Sequence, residues 1–233
     1  MASIAATAAA PAAAAVRNKL YTLVILAERA AHGVTPPALS PAPAVTGSSV
    51  VSARTPYSRV LLGLKKRGFG AGKWNGFGGK IEIGETPRAA AIREMREEAG
   101  ITLEEAALSK RGVLLQEFER TEAPQVADAA ISSALGTHPM MEIHLYLAER
   151  YSGSLAESDE MRPQWWALPD VPYAHMWADD QHWLPVLLSQ DAPCFRAHFL
   201  FRGEATLLSH KIDLMDPQQI EDMRQQDHEP RTT

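Results

Sequence analysis

The sequence predicts an α/β domain, a mixed β-sheet covered by helices on both faces. Three observations carry this. Short apolar runs of strand length alternate with two helical stretches along the 233 residues. Hydrophobic residues make up 45% and charged residues 22%, the ordinary range for a globular chain. Compositionally biased stretches set themselves apart, leaving a core of roughly 150 residues, one domain by size.

In chain order, residues 1–18 are dominated by alanine and predict a disordered extension. They contain no acidic residue, and Arg17 and Lys19 lie at their end, so a weak targeting segment is the alternative reading. The domain is placed at 19–215. Leu20–Ala27 (LYTLVILA) reads as a strand. Residues 30–56 carry Pro36, Pro37, Pro41, Pro43 and Pro56 and predict a mobile surface insertion. Arg59–Leu64 is a second strand. Residues 86–99 read as a helix, with Thr86 as N-cap, Pro87 in the first turn and Gly100 as the stop. Val113–Phe118 and Met141–Ala148 are strands, separated by a second biased insertion at 121–138. Trp165–Ala167 is a further short strand, and Asp180–Gln190 a second helix. Phe195–Arg202 and Ala205–Asp213 suit a hairpin across Gly203. The polar segment 216–233 is expected to fray.

A formal net charge of -5 excludes binding to duplex DNA through whole-body charge. It leaves open small polyanions held through metal ions. One cysteine, Cys194, allows no internal disulfide and fits a reducing compartment. No apolar run reaches the ~20 residues of a membrane span.

The strongest signal is GKIEIGETPRAAAIREMREEAGI at 79–101. It fits G-x5-E-x7-R-E-U-x-E-E-x-G-U, with U aliphatic, at every specified position: Gly79, Glu85, Arg93, Glu94, Met95, Glu97, Glu98, Gly100 and Ile101. For the fixed residue types, chance agreement is on the order of one in a hundred million per start position. On a helix, Glu94 and Glu98 lie about 40° apart, with Glu97 about 60° to the other side of Glu94. Three carboxylates therefore share one arc, beside an apolar stripe of Ile92, Met95 and Ala99. Like charges so placed repel, and a hard divalent cation with oxygen ligands offsets that. Such a cation neutralises phosphate oxygens and activates a water. Gly79 and Gly84 let the preceding loop turn tightly and bring its carbonyls near the metal. Arg93 is placed to pair with Glu85 or Glu94.

This pattern is the Nudix box, and the chain resembles the Nudix hydrolase superfamily. Two further stretches, LKKRGFGAGKWNGFGGK at 64–80 and ESDEMRPQWWALPDVPYAHMWADDQHWLPVLLSQ at 157–190, resemble the MutT-homologue hydrolases of oxidised purine nucleoside triphosphates. The resemblance implies a Nudix fold, an α/β/α sandwich. It implies catalytic Arg93, Glu94, Glu97 and Glu98, with Mg²⁺, or Mn²⁺ in its place, held by Gly79, Glu94, Glu97, Glu98 and Glu160. It implies Trp177 as the base-stacking residue, with Asp179, Asp180 and Asn75 at the base edges. Thr22, Leu23, Lys65, Phe69, Met161 and Trp183 match other pocket positions. One departure stands out: where vertebrate members carry two aromatics two apart, this chain has Gln116 and Phe118.

The expected reaction is 8-oxo-dGTP, or 2-hydroxy-dATP, plus water to the monophosphate and pyrophosphate. The alternatives are a Nudix activity on ADP-ribose, dinucleoside polyphosphates or capped RNA, and a non-catalytic nucleotide-binding module. The expected setting is a monomer in the cytoplasm, or serving the mitochondrial or nuclear pool, on no membrane and no duplex nucleic acid.

Overall fold

The first apolar run lies mid-sheet. The computed structural model describes residues 19–42, 45, 51–119 and 140–232; the alanine-rich extension and the 121–138 segment lie outside the described residues. Among these, strands β1 (Lys19–Arg29), β2 (Tyr57–Lys65), β3 (Trp74–Asn75), β4 (Leu108–Glu119), β5 (Met140–Ala148), β6 (Met161–Ala167), β7 (Phe195–Arg202) and β8 (Thr206–Leu214) form one mixed sheet. β1 runs parallel to β5 and β4 parallel to β7, while the other pairings are antiparallel. β6 lies along one edge of β2, since Leu61 pairs with both Trp165 and Leu26. The other edge is shared by β1 and β3.

Alternation along the strands sorts their side chains to two faces. In β1, Val24 and Leu26 join helix α1 (Pro87–Ala99), whereas Leu23, Ile25 and Ala27 join helix α2 (Asp180–Leu187) on the other face. The predicted sandwich is what forms. In α1 the Thr86 hydroxyl accepts the Ala89 N–H at 3.1 Å, and Gly100 closes the helix at φ +74°, a conformation only glycine adopts without cost. Ala91, Met95 and Ala99 are fully buried on the sheet. Burying Met95 alone contributes about 2 kcal/mol. α2 is shorter than its apolar pattern suggested, ending before Leu188.

Two segments differ from expectation. The 30–56 insertion is not simply a mobile surface loop. Leu39 and Val51 are buried in the α2-side core, and the Leu39 N–H donates to the Ala53 carbonyl at 2.9 Å. Its prolines dilute the apolar content, yet a few apolar side chains suffice to seat it. It also leaves β1 at the end remote from Lys19. Nor does the segment after β8 fray. Asp216 caps helix α3 (Pro217–Gln226) with a reciprocal capping box to Gln219. Met223 is buried, and Asp227 is 1% exposed. Asp227 meets Arg88 of α1 at 2.8 Å, Lys110 of β4 at 3.3 Å and the Tyr146 hydroxyl of β5. Specific ion pairs hold the segment where its overall polarity indicated solvation.

Candidate active site

A cleft of about 600 Å³ opens at the Lys19 end of β1. Its acidic part comes from α1. Glu94, Glu97 and Glu98 all line it, and Glu160 joins them from the loop before β6. Glu98 is 3% exposed; its Oε2 accepts the Gly78 N–H at 2.9 Å. Burial pushes its carboxyl up to about 7, against the pull of Lys65. Burial likewise raises the Glu94 carboxyl, opposed by Arg93.

Arg93 does not line the cleft. It lies behind the carboxylates and fixes them, reaching Glu85 at 2.9 Å, Glu94 at 2.8 Å and Glu97 at 3.0 Å. Burial disfavours the charge on Glu85, but the guanidinium bonds prevail and hold its carboxyl low. Lys65 stands between the other two acids, 2.5 Å from Glu160 and 3.5 Å from Glu98.

Among the described residues no three acidic or histidine side chains converge at metal-ligating spacing. Two cations neutralise these acids, Arg93 bridging Glu85, Glu94 and Glu97 and Lys65 bridging Glu98 and Glu160. The donor set still suits a hard divalent ion. It offers carboxylate and backbone oxygens alone, and Lys65 Nζ marks a place between Glu98 and Glu160 that already stabilises positive charge. Gly79 serves by close approach: a Cβ there would lie 2.3 Å from Glu94 Oε1. Its carbonyl accepts the Thr22 N–H at 2.8 Å and keeps its second lone pair.

The far wall is aromatic and comes from the α2 face. Trp177 is 6% exposed and lines the cleft with Phe69, their ring centroids 4.9 Å apart. Lys73 Nζ lies 5.2 Å from the Trp177 centroid. Thr22, Leu23, Asn75 and Trp183 also line the cleft. The Asn75 Oδ1 accepts the Gly76 N–H at 2.9 Å, which leaves its amide NH₂ as the group available to a ligand.

The paired aspartates divide. Asp180 lines the cleft, its Oδ2 accepting the Trp177 N–H at 3.0 Å. Asp179 does not; it is fully buried behind, and its Oδ2 accepts from Gln116 Nε2 at 2.8 Å while Oδ1 finds no hydrogen-bond partner within reach among the described residues. Neither side chain caps α2. Burial pushes the Asp179 carboxyl up to about 6, and burial with the neighbouring Asp179 charge raises Asp180 further. Met161 is a correction as well. It is buried in the α1-side core and is not part of the cleft lining.

The sequence reading named Gln116 and Phe118 as a departure in the pocket, and both line the cleft; it missed Leu114 beside them on β4, Met141 and Ile143 on β5, and Tyr21 on β1. Period-two alternation through the recognised pocket strands contained that signal. Lys19 and Lys80 add positive charge at the same cleft.

Comparison with known proteins agrees with this geometry. Residues 44–187 match the NUDIX domain model. The chain is 44% identical to an oxidized purine nucleoside triphosphate hydrolase of Danio rerio over 155 residues, 66% of this chain and 86% of that protein. Its likeness to the Mus musculus protein of the same description is 41% over 158 residues, 68% of this chain and 88% of that one. A crystallised MutT protein of Bacillus halodurans shares the fold at a TM-score of 0.57 and 21% identity, covering 84% of this chain and 97% of its own. The box helix, its preceding loop and most of the cleft lining thus fall within one domain match, and the chain belongs to the Nudix family.

Proposed function

We propose that this Nudix hydrolase removes oxidised purine nucleoside triphosphates from the free nucleotide pool, giving the monophosphate and pyrophosphate. One observation carries the reading: a single cleft joins an acidic face that suits metal and phosphates to an aromatic wall backed by a buried carboxyl pair. The two vertebrate relatives named for this activity support it. Nudix hydrolases need a divalent metal; here Glu94, Glu97, Glu98, Glu160 and the Gly79 carbonyl would hold Mg²⁺, or Mn²⁺ in its place. When bound, the metal supplies charge neutralisation at the phosphates and an activated water. Glu97, the most exposed of the box acids, serves either as a ligand or as the base. Lys19 and Lys80 offer charge to the phosphate chain. Trp177 offers a stacking face worth ~1–3 kcal/mol, and the Asn75 amide donates to a base edge. The enzyme works as a monomer, in the cytoplasm or on the mitochondrial or nuclear pool, without duplex nucleic acid or membrane. Pyrophosphate release from 8-oxo-dGTP and dGTP with Mg²⁺ tests the proposal. Faster release from the oxidised nucleotide is expected; equal rates, or preference for ADP-ribose or dinucleoside polyphosphates, would overturn it.

Asp179 and Asp180 supply the selectivity. Two adjacent buried carboxyls share one proton near neutral pH. A protonated carboxyl donates and an ionised one accepts, so Asp180 can present either to a base, with Asp179 taking the complementary state behind it. That accommodates 8-oxoguanine and a 2-hydroxyadenine tautomer without rearrangement. Asp179→Asn and Asp180→Asn are expected to change the ratio of the two activities; an equal loss of both would refute proton sharing. The pair also has a stability signature. Its folded pKa values are raised, so its contribution is fully present below the ordinary aspartate value and is lost as pH rises through about 6. The Asn variants should flatten that part of a melting-temperature profile.

A further inference from the structure

The segment after β8 ends against the box loop, outside the residues 44–187 that match the domain model. Arg231 pairs with that loop through its backbone: the Gly84 N–H donates to the Arg231 carbonyl at 2.8 Å, and the Arg231 N–H donates to the Glu85 carbonyl at 2.9 Å. Its guanidinium also donates to the Ile81 carbonyl at 2.5 Å. Four residues earlier, Asp227 is fixed to Arg88 near the start of α1. The chain between these points therefore ties the box helix to the loop that precedes it. That loop carries Glu85, whose carboxylate accepts from Arg93 at 2.9 and 3.0 Å, and Arg93 in turn holds Glu94 and Glu97.

We propose that Asp227–Arg231 is a strap that sets the position of the box loop, with Arg231 a positioning residue acting on the acidic site through Glu85 and Arg93. The physical reason is the loop's composition. Residues 81–85 include Gly84 at φ +85° and an exposed Ile83. On its N-terminal side the loop is tied to β1, Ile81 N–H donating to the Leu20 carbonyl at 3.0 Å. The Gly84 N–H and Glu85 carbonyl, at its other end, take their backbone partner from the strap. Without it Glu85 has more freedom, and Arg93 loses the orientation in which it bridges Glu94 and Glu97.

The kinetic part rests on the hydrolase reading; the structural part does not. The test therefore uses two readouts on Arg231→Ala and on a chain ending at Glu229, both of which keep Asp227. Amide hydrogen exchange at Gly84, measured without metal or nucleotide, should speed by about tenfold or more in the shortened chain and less in Arg231→Ala. With 8-oxo-dGTP and Mg²⁺, kcat should fall by about tenfold in the shortened chain while KM stays within about twofold. The Mg²⁺ concentration for half-maximal rate should rise, and Arg231→Lys should recover part of the loss. Unchanged exchange at Gly84 in both variants would overturn the strap. Faster exchange with unchanged kcat and Mg²⁺ dependence would overturn its positioning role. If the full chain turned over no oxidised purine nucleotide, the hydrolase reading would fail while the exchange result still decided the strap.

Discussion

Glu98→Gln is expected to lower kcat by about a thousandfold or more while leaving the fold intact. The site loses a negative charge that the metal and the phosphates depend on, and several kcal/mol of transition-state stabilisation correspond to that factor. The fold has little reason to suffer. Glu98 is 3% exposed, so removing its charge relieves a desolvation cost. Glutamine keeps the side chain's shape, and its carbonyl oxygen can still accept the Gly78 N–H that Oε2 now receives at 2.9 Å. Lys65 keeps Glu160. Steady-state pyrophosphate release beside a thermal melt checks both halves. Activity within tenfold of the unmodified protein would remove Glu98 from the metal and phosphate machinery.

The second large effect is on stability. Asp227→Ala is expected to cost about 3–5 kcal/mol, since it strips the counter-charge from buried cations. The Lys110 side chain is 2% exposed and that of Arg88 15%. Burial already draws the Lys110 ammonium below its ordinary pKa, with Asp227 opposing the shift. After substitution Lys110 retains the Met223 carbonyl at 3.2 Å, and Arg88 the carbonyls of Glu105 and Leu108, but both lose the carboxylate they share, and Lys110 keeps only the weaker attraction of Glu142. Domains are stable by only about 5–15 kcal/mol, so the loss takes a large share of the total. Urea unfolding provides the measurement. A change under about 1 kcal/mol would mean the network is solvated and the segment docks without stabilising the domain.

Where the determinants are local, the sequence was legible. Thr86, Pro87 and Gly100 bound α1, and the spacing of its glutamates placed three acids on one cleft. What escaped depended on partners far along the chain. Asp227 is buried because Arg88, Lys110 and Tyr146 meet it from three separate elements, which no window of composition registers. The 30–56 insertion seats Leu39 and Val51 for the same kind of reason. Met161 was carried into the pocket by resemblance, yet its pairing opposite Lys65 in β6 turns it toward α1. Asp179 and Asp180 look alike in sequence, but the turn into α2 sends one to the cleft and the other to Gln116. Gln116 itself registered as a polar position in a pocket wall that is aromatic in vertebrate members. Its role as the donor to Asp179 required knowing that β4 lies beside the start of α2.

The two long connections attach to the sheet at opposite ends. The 30–56 insertion leaves from Arg29, about 30 Å along β1 from Lys19 at the extended-strand rise. The connection between β4 and β5 leaves and returns beside Phe118 and Met141, both of which line the cleft. Natural variation therefore has unequal consequences at the two places. Residues gained or lost beyond Arg29 lie at the end of β1 away from the cleft, but Leu39 and Val51 seat that segment in the core, so a tag or tether grafted there has to leave those two in place. Changes of length between Phe118 and Met141 bear directly on two residues of the cleft lining.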